Sequence, residues 1–218
     1  MYDIPYTKHM IEIIPAINAE NFRDVTEKIK RVEPYVRWVH IDVADGTFTK
    51  NILWHNAKDL LMLKTPLFIE VHLMVTDIEK KISSWLLPNV RRVIFHVETA
   101  KDPRSIVRVC HAADIEAGIA VHPDTSWEQL LPYVKEADII QTLAVVPGHA
   151  GQVFQKKIIK KIEGLRRMCS TCLIEVDGGM NKETAGRAIQ AGATHIVAAS
   201  AIFNGGDIEK NIKDLQNI

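Results

Sequence analysis

Short apolar runs of strand length alternate with amphipathic runs along the whole chain, eight of each, and this alternation restricts the fold more than any other property. The strand-type runs fall at 11–17, 38–42, 67–73, 93–96, 117–121, 139–145, 173–176 and 195–198. Between and after them, apolar residues recur at helical spacing over 22–32, less regularly over 57–62, then over 78–87, 104–113, 127–135, 156–168, 182–191 and 208–218. Alternation of this kind predicts a parallel sheet with crossover helices. Asn21 is placed to cap the first helix, Thr76 the third, and Pro15 reads as the end of the first strand.

Eight such units predict a closed (β/α)8 TIM barrel of the phosphate-binding type. The length of 218 residues fits the roughly 200–250 that such barrels need. The expected organisation is one domain over 1–218, with 1–10 as a candidate N-terminal extension. An open doubly wound sheet is the competing architecture, but it gathers its chemistry at one switch point. Here His40, Asp42, His72, His96, His122, Asp177 and Ser200 lie at or just past the C-terminal ends of at least five strands. That is the working face of a barrel.

The richest strand end is Trp38-Val39-His40-Ile41-Asp42. Successive side chains point to opposite faces, so His40 and Asp42 share one face while Val39 and Ile41 take the other. The runs ending at His72 and at Asp177 repeat the pattern. Taken singly, each histidine would read as a strand-end residue bonded to a neighbour. Four such groups at equivalent barrel positions read instead as an N2O2 set for one divalent ion. That donor set suits Zn, Fe, Mn or Co and does not choose among them.

Small residues follow the last three strands: Gly148, His149, Ala150 and Gly151, then Gly178 and Gly179, then Ala199 and Ser200. Their backbone N–H groups can approach an anion closely, and the loops after strands seven and eight are the recurrent phosphate site of this architecture. His72 is counted with these substrate-binding residues as well as with the metal set, and His149 is a candidate contact to substrate or phosphate. A cation beside a phosphate grip suggests a small phosphorylated ligand. Asp42 and Asp177, from strands two and seven, can then act as base and acid on opposite faces of a carbon next to a carbonyl. Such a pair inverts a stereocentre.

The chain resembles the ribulose-phosphate 3-epimerase family almost end to end. The resemblance rests on Pro15-Ala16-Ile17 with Phe22, on His40 through Gly46 with Phe48 and Asn51, and on Val71-His72-Leu73-Met74. It continues through Pro147-Gly148, Gly151-Gln152 and Phe154, Glu175 through Gly179, and Ser200-Ala201-Ile202-Phe203. It implies that His40, Asp42, His72 and Asp177 bind the metal and that Asp42 and Asp177 exchange the proton at C3. The implied reaction interconverts D-ribulose 5-phosphate and D-xylulose 5-phosphate, in a protein that is often a homo-oligomer.

Several positions depart from the family. Ala19 replaces a usual Ser, Ala44 and Leu143 replace usual Met residues, His149-Ala150 interrupts a Pro-Gly-Phe-Gly-Gly loop, and Ala199 replaces Gly. Ala44 would remove wall volume and admit a longer sugar, so 3-epimerisation of a hexulose 6-phosphate of the allulose 6-phosphate type is an alternative. A non-catalytic phosphosugar-binding homologue is a second one. A lyase or decarboxylase of the related barrels would need an Asp-x-Lys-x-x-Asp array, and 42–45 contains no Lys.

The remaining features bound the setting. With 27 basic and 27 acidic residues the chain carries no formal net charge, so no nucleic-acid or membrane partner is expected. No secretory signal or membrane-length apolar run is read, which makes the cytoplasm the expected location. Cys110 reads as a small buried residue, and the Cys169-x-x-Cys172 pair as having no redox or metal role. Asp45 reads as a turn carboxylate, and Lys156 to Lys161 as a solvated helix face.

Overall fold

The structure is a computed structural model and describes residues 11–147 and 152–218. Eight parallel strands, β1 (Glu12–Ile17), β2 (Trp38–Ala44), β3 (Phe68–Met74), β4 (Arg92–His96), β5 (Glu116–Val121), β6 (Ile139–Leu143), β7 (Leu173–Asp177) and β8 (His195–Ala198), pair in chain order. β8 then pairs with β1, Glu12 opposite His195, and closes the sheet into the expected TIM barrel. Around it lie α1 (Phe22–Val32), α2 (Ile78–Lys81), α3 (Pro103–Ala112), α4 (Ile158–Met168), α5 (Lys182–Ala191), α6 (Ser200–Phe203) and α7 (Ile208–Gln216).

Strand alternation sorts the side chains into two environments. Val39, Ile41 and Val43 of β2, with Val71, Phe95, Ile119, Ile140 and Val176, join Ile29, Ile106, Ile162 and Ile212 in one apolar layer between barrel and helices. The opposite parity faces the barrel interior. There Ile14, Ala16, Trp38 and Val197 make a small separate apolar floor. Above it the interior is polar: His40, Glu70, Arg92, Gln141 and Glu175 are all buried. The register places Glu70 opposite both His40 and Arg92, and His72 opposite Asp42.

Local expectations hold where one signal dominates. Asn21 caps α1, its Oδ1 accepting from the Asp24 N–H at 3.0 Å. Elsewhere tertiary demands win. Pro15 lies inside β1 and not at its end: Glu12–Pro15 pair with β8 and Ala16–Ile17 with β2, so the missing N–H falls where β1 changes partner. Asp77, with φ 53°, occupies the N-cap position of α2 in place of Thr76, and α2 gives way to a 3-10 turn at Ile82–Trp85. The expected helix over 127–135 is only a 3-10 turn, Trp127–Leu130. Pro132 has no N–H to continue it and its ring crowds the preceding turn.

Two surface expectations need correcting. Lys161 is buried and donates from Nζ to His122 O at 2.8 Å and to Thr125 O, so α4 is tied to the loop after β5. Cys169 and Cys172 form a disulfide just before β7, at the end of the strand opposite Asp177. Cys110 is buried as expected, and burial pushes its thiol up to about 12.

Close packing of the barrel is sharpest at Gly118 of β5. A Cβ there would lie 2.7 Å from Ile94 Cγ1 and 2.9 Å from Ile139 Cγ2. Gly118→Ala is expected to cost about 1–3 kcal/mol by overpacking. Urea unfolding checks this: a lower midpoint at unchanged m-value is the expected result, and an unchanged midpoint contradicts it.

Candidate active site

Three strand ends bring the predicted ligand groups together. β2 contributes His40 and Asp42, β3 contributes His72, and β7 contributes Asp177 from the far side of the barrel mouth. One donor atom from each of the four lies within 4.8 Å of all the others. His40 Nε2 is 3.3 Å from Asp42 Oδ1 and 4.0 Å from Asp177 Oδ2. His72 Nδ1 is 3.0 Å and 3.7 Å from the same two oxygens. Bonds of about 2.0–2.2 Å in a tetrahedron put donors about 3.3–3.6 Å apart, so these separations bracket one cation. His40 Nε2 is buried without a hydrogen-bond partner and faces both carboxylates, so with the ring neutral its lone pair is open to a cation.

The two histidines present different nitrogens because different neighbours hold them. His40 Nδ1 meets Glu70 Oε1 at 2.7 Å, turning Nε2 toward the carboxylates. Glu70 Oε2 is in turn held by Arg92 Nη1 at 2.7 Å, and Arg92 Nη2 reaches Glu116 at 2.7 Å. His72 Nε2 meets His96 Nε2 at 2.9 Å, turning Nδ1 toward Asp42. Asn18, just past β1, donates from Nδ2 to Asp42 Oδ2 at 2.6 Å.

These surroundings drive the two aspartates apart. Burial opposes a charge on Asp42, but the imidazoles of His40 and His72 outweigh it and hold the carboxyl well below its usual range. Burial and the adjacent charge of Asp42 push Asp177 up to about 6. Burial opposes a charge on His40 too, yet Asp42 and Glu70 raise it well above the ordinary imidazole value. Burial, above all, lowers His96 to about 4. Two carboxyl groups whose proton affinities are shifted in opposite directions face a single point.

The cleft over these groups is lined by Asn18, Met74, Leu143, Met180, Gly178, Gly179 and Ser200, with Ala199 beside them. Gly178 and Gly179 have φ of 103° and 66°. A Cβ at Gly179 would lie 2.8 Å from the Phe154 backbone N, so only glycine lets the β7 loop pack against the chain returning from β6. Ala199 has φ −101°, which its methyl tolerates. Gly148, His149, Ala150 and Gly151 lie outside the described residues. Ala44 is fully buried, packed with Leu53, Met74 and Phe48, and is not among the residues lining this cleft. Asp45 binds Lys81 Nζ at 2.5 Å and Thr47, as a turn carboxylate would.

The comparisons with known proteins agree with this geometry. The pattern of the ribulose-phosphate 3 epimerase family matches residues 12–203. The chain belongs to that family. Its relatives include a ribulose-phosphate 3-epimerase of Schizosaccharomyces pombe, 31% identical over 94% of this chain and 92% of that protein. Another, from Synechocystis sp., is 32% identical over 95% of this chain and 94% of its own length. This makes the chain an epimerase, of the isomerase class. A crystal structure of 3-hexulose-6-phosphate synthase superposes with a TM-score of 0.70, covering 95% of this chain and 99% of that one. At 14% identity that likeness shows the fold alone.

Asn18, Glu70, Arg92 and Glu98 were not singled out by sequence reasoning. A polar residue directly after the apolar run of β1 was the available signal for Asn18. Glu70 and Arg92 carried one too, as charges at inward parity inside apolar strands. Removing the Arg92 guanidinium leaves the buried Glu70 with His40 as its remaining partner and one oxygen unmatched, so Arg92→Met is expected to cost about 3–5 kcal/mol. Denaturant unfolding checks this, and Glu70→Gln in the same chain is expected to recover much of the loss.

Proposed function

We propose that the chain is a metal-dependent epimerase inverting C3 of a phosphorylated ketose, with D-ribulose 5-phosphate and D-xylulose 5-phosphate as its pair. The carrying observation is the convergence of Asp42 and Asp177, from opposite sides of the mouth, on one point shared with His40 and His72. In this reading His40, Asp42, His72 and Asp177 hold one divalent ion, which is Zn, Fe, Mn or Co by the N2O2 donor set. When bound, the ion supplies positive charge that stabilises the enediolate oxygen.

The chain's own residues do the rest. Asp42, held ionised and steadied by Asn18, takes the C3 proton from one face. Asp177 delivers a proton to the other face, and the roles exchange in the reverse direction. Met74, Leu143 and Met180 exclude water from the reacting carbons. Gly178, Gly179, Ala199 and Ser200 receive the phosphate, joined by Gly148, His149, Ala150 and Gly151. The pentulose is preferred over a hexulose because the Ala44 methyl is covered by Leu53, Met74 and Phe48, so the substitution adds no room for a longer sugar.

A coupled assay with metal-loaded and chelated protein, offering D-ribulose 5-phosphate and D-allulose 6-phosphate, tests the substrate. Chelator-sensitive turnover of the pentulose is expected, and turnover of the hexulose alone overturns the assignment. Asp42→Asn and Asp177→Asn are each expected to lower kcat by about 100- to 10,000-fold, the range of general acid–base catalysis. In D2O the wild-type product is expected to carry one deuterium at C3. Product without it contradicts exchange between two carboxyl groups.

A further inference from the structure

His96 takes no part in the reaction just described, although it is fully buried at the end of β4. Its ring lies behind His72, with centroids 5.1 Å apart, and Phe48 covers its other side at 4.4 Å. The facing nitrogens, His72 Nε2 and His96 Nε2, are 2.9 Å apart. Two ring nitrogens at that distance hold one proton between them: two would collide, and none would leave two lone pairs opposed.

The other nitrogens settle which ring owns it. His72 Nδ1 must offer a lone pair to ligate, so its proton sits on Nε2 and is donated to His96. His96 then carries its own proton on Nδ1, which has Glu98 Oε2 3.4 Å away but makes no hydrogen bond to it here. Glu98 is itself held, accepting at Oε1 from the His122 backbone N–H at 2.7 Å. The opposing influence is Asp42, whose Oδ1 lies 3.0 Å from His72 Nδ1 and draws a proton onto that nitrogen, where it would block ligation.

We infer that His96, through its Nε2 contact with His72 Nε2, is a positioning residue that holds His72 with its proton on Nε2 and so keeps Nδ1 free for the metal. The inference rests on the metal reading above and adds to it. The two ligand histidines are thereby supported differently, His40 by the carboxylate of Glu70 and His72 by a neutral ring.

Metal titration of chelator-stripped protein against a competing chelator, with zinc as the probe, gives the first readout. His96→Leu has no acceptor for the His72 N–H and is expected to lose about 10- to 100-fold in zinc affinity, as for other outer partners of metal ligands. His96→Gln, whose Oε1 can accept that proton, is expected to stay within a few-fold of wild type. Nitrogen NMR of 15N-histidine, zinc-loaded wild type gives a second readout that needs no variant to fold. His96 is expected as the Nδ1–H form, the less common one for a free neutral imidazole. His96 found with its proton on Nε2, or His96→Leu folded and binding zinc as wild type does, overturns the inference. Wild type that takes up no zinc or other divalent ion overturns the metal reading, and the inference with it.

Discussion

A charge enclosed in a barrel must be matched inside it, and here Glu70 is matched on both sides. One oxygen receives Arg92 and the other receives His40. Arg92 lies flat on Trp38, 4.2 Å from the ring centroid, and Trp38 packs on Phe68. The aromatic floor therefore sets the guanidinium, the guanidinium sets Glu70, and Glu70 sets the ring of His40. Buried ion pairs add little net stability over well-packed apolar groups. What this one contributes is direction: it aims His40 Nε2 at the carboxylates. His40, Glu70 and Glu175 also have spacing a cation could use, but the guanidinium of Arg92 already supplies positive charge to that layer.

Fold and chemistry separate cleanly in this chain. A 3-hexulose-6-phosphate synthase shares the scaffold at 14% identity. The outer layer of Val, Ile and Leu that joins strands to helices carries no information about the reaction. In such barrels chemistry is carried by side chains at the inward parity near the strand ends.

The sequence makes plain what depends on local pattern. Strand alternation places His40 with Asp42 and predicts barrel closure because each strand needs only its own residues to reveal its faces. Helix limits are equally clear where a cap acts locally, as at Asn21 and over Lys182–Ala191. The rest depends on neighbours distant in sequence. Pro132 ends a helix that periodicity alone would extend, and Lys161 is buried because two carbonyls of the β5 loop meet it. The fate of Ala44 is decided by Leu53, Met74 and Phe48, which periodicity does not place above it. The opposite presentation of the two histidines follows from inter-strand contacts with Glu70 and His96.

The seam between β1 and β8 has a consequence for how the molecule is made. It joins Glu12 to His195, nearly the full length of the described chain, and such non-local pairing is slow to form because loop closure precedes its reward. His40, Asp42 and His72 leave the ribosome long before Asp177 and the strand that closes the barrel. An emerging chain thus exposes three donors with no cage around them. The four groups converge only once β7 has docked, so assembly order itself withholds the completed cluster from an unfinished chain.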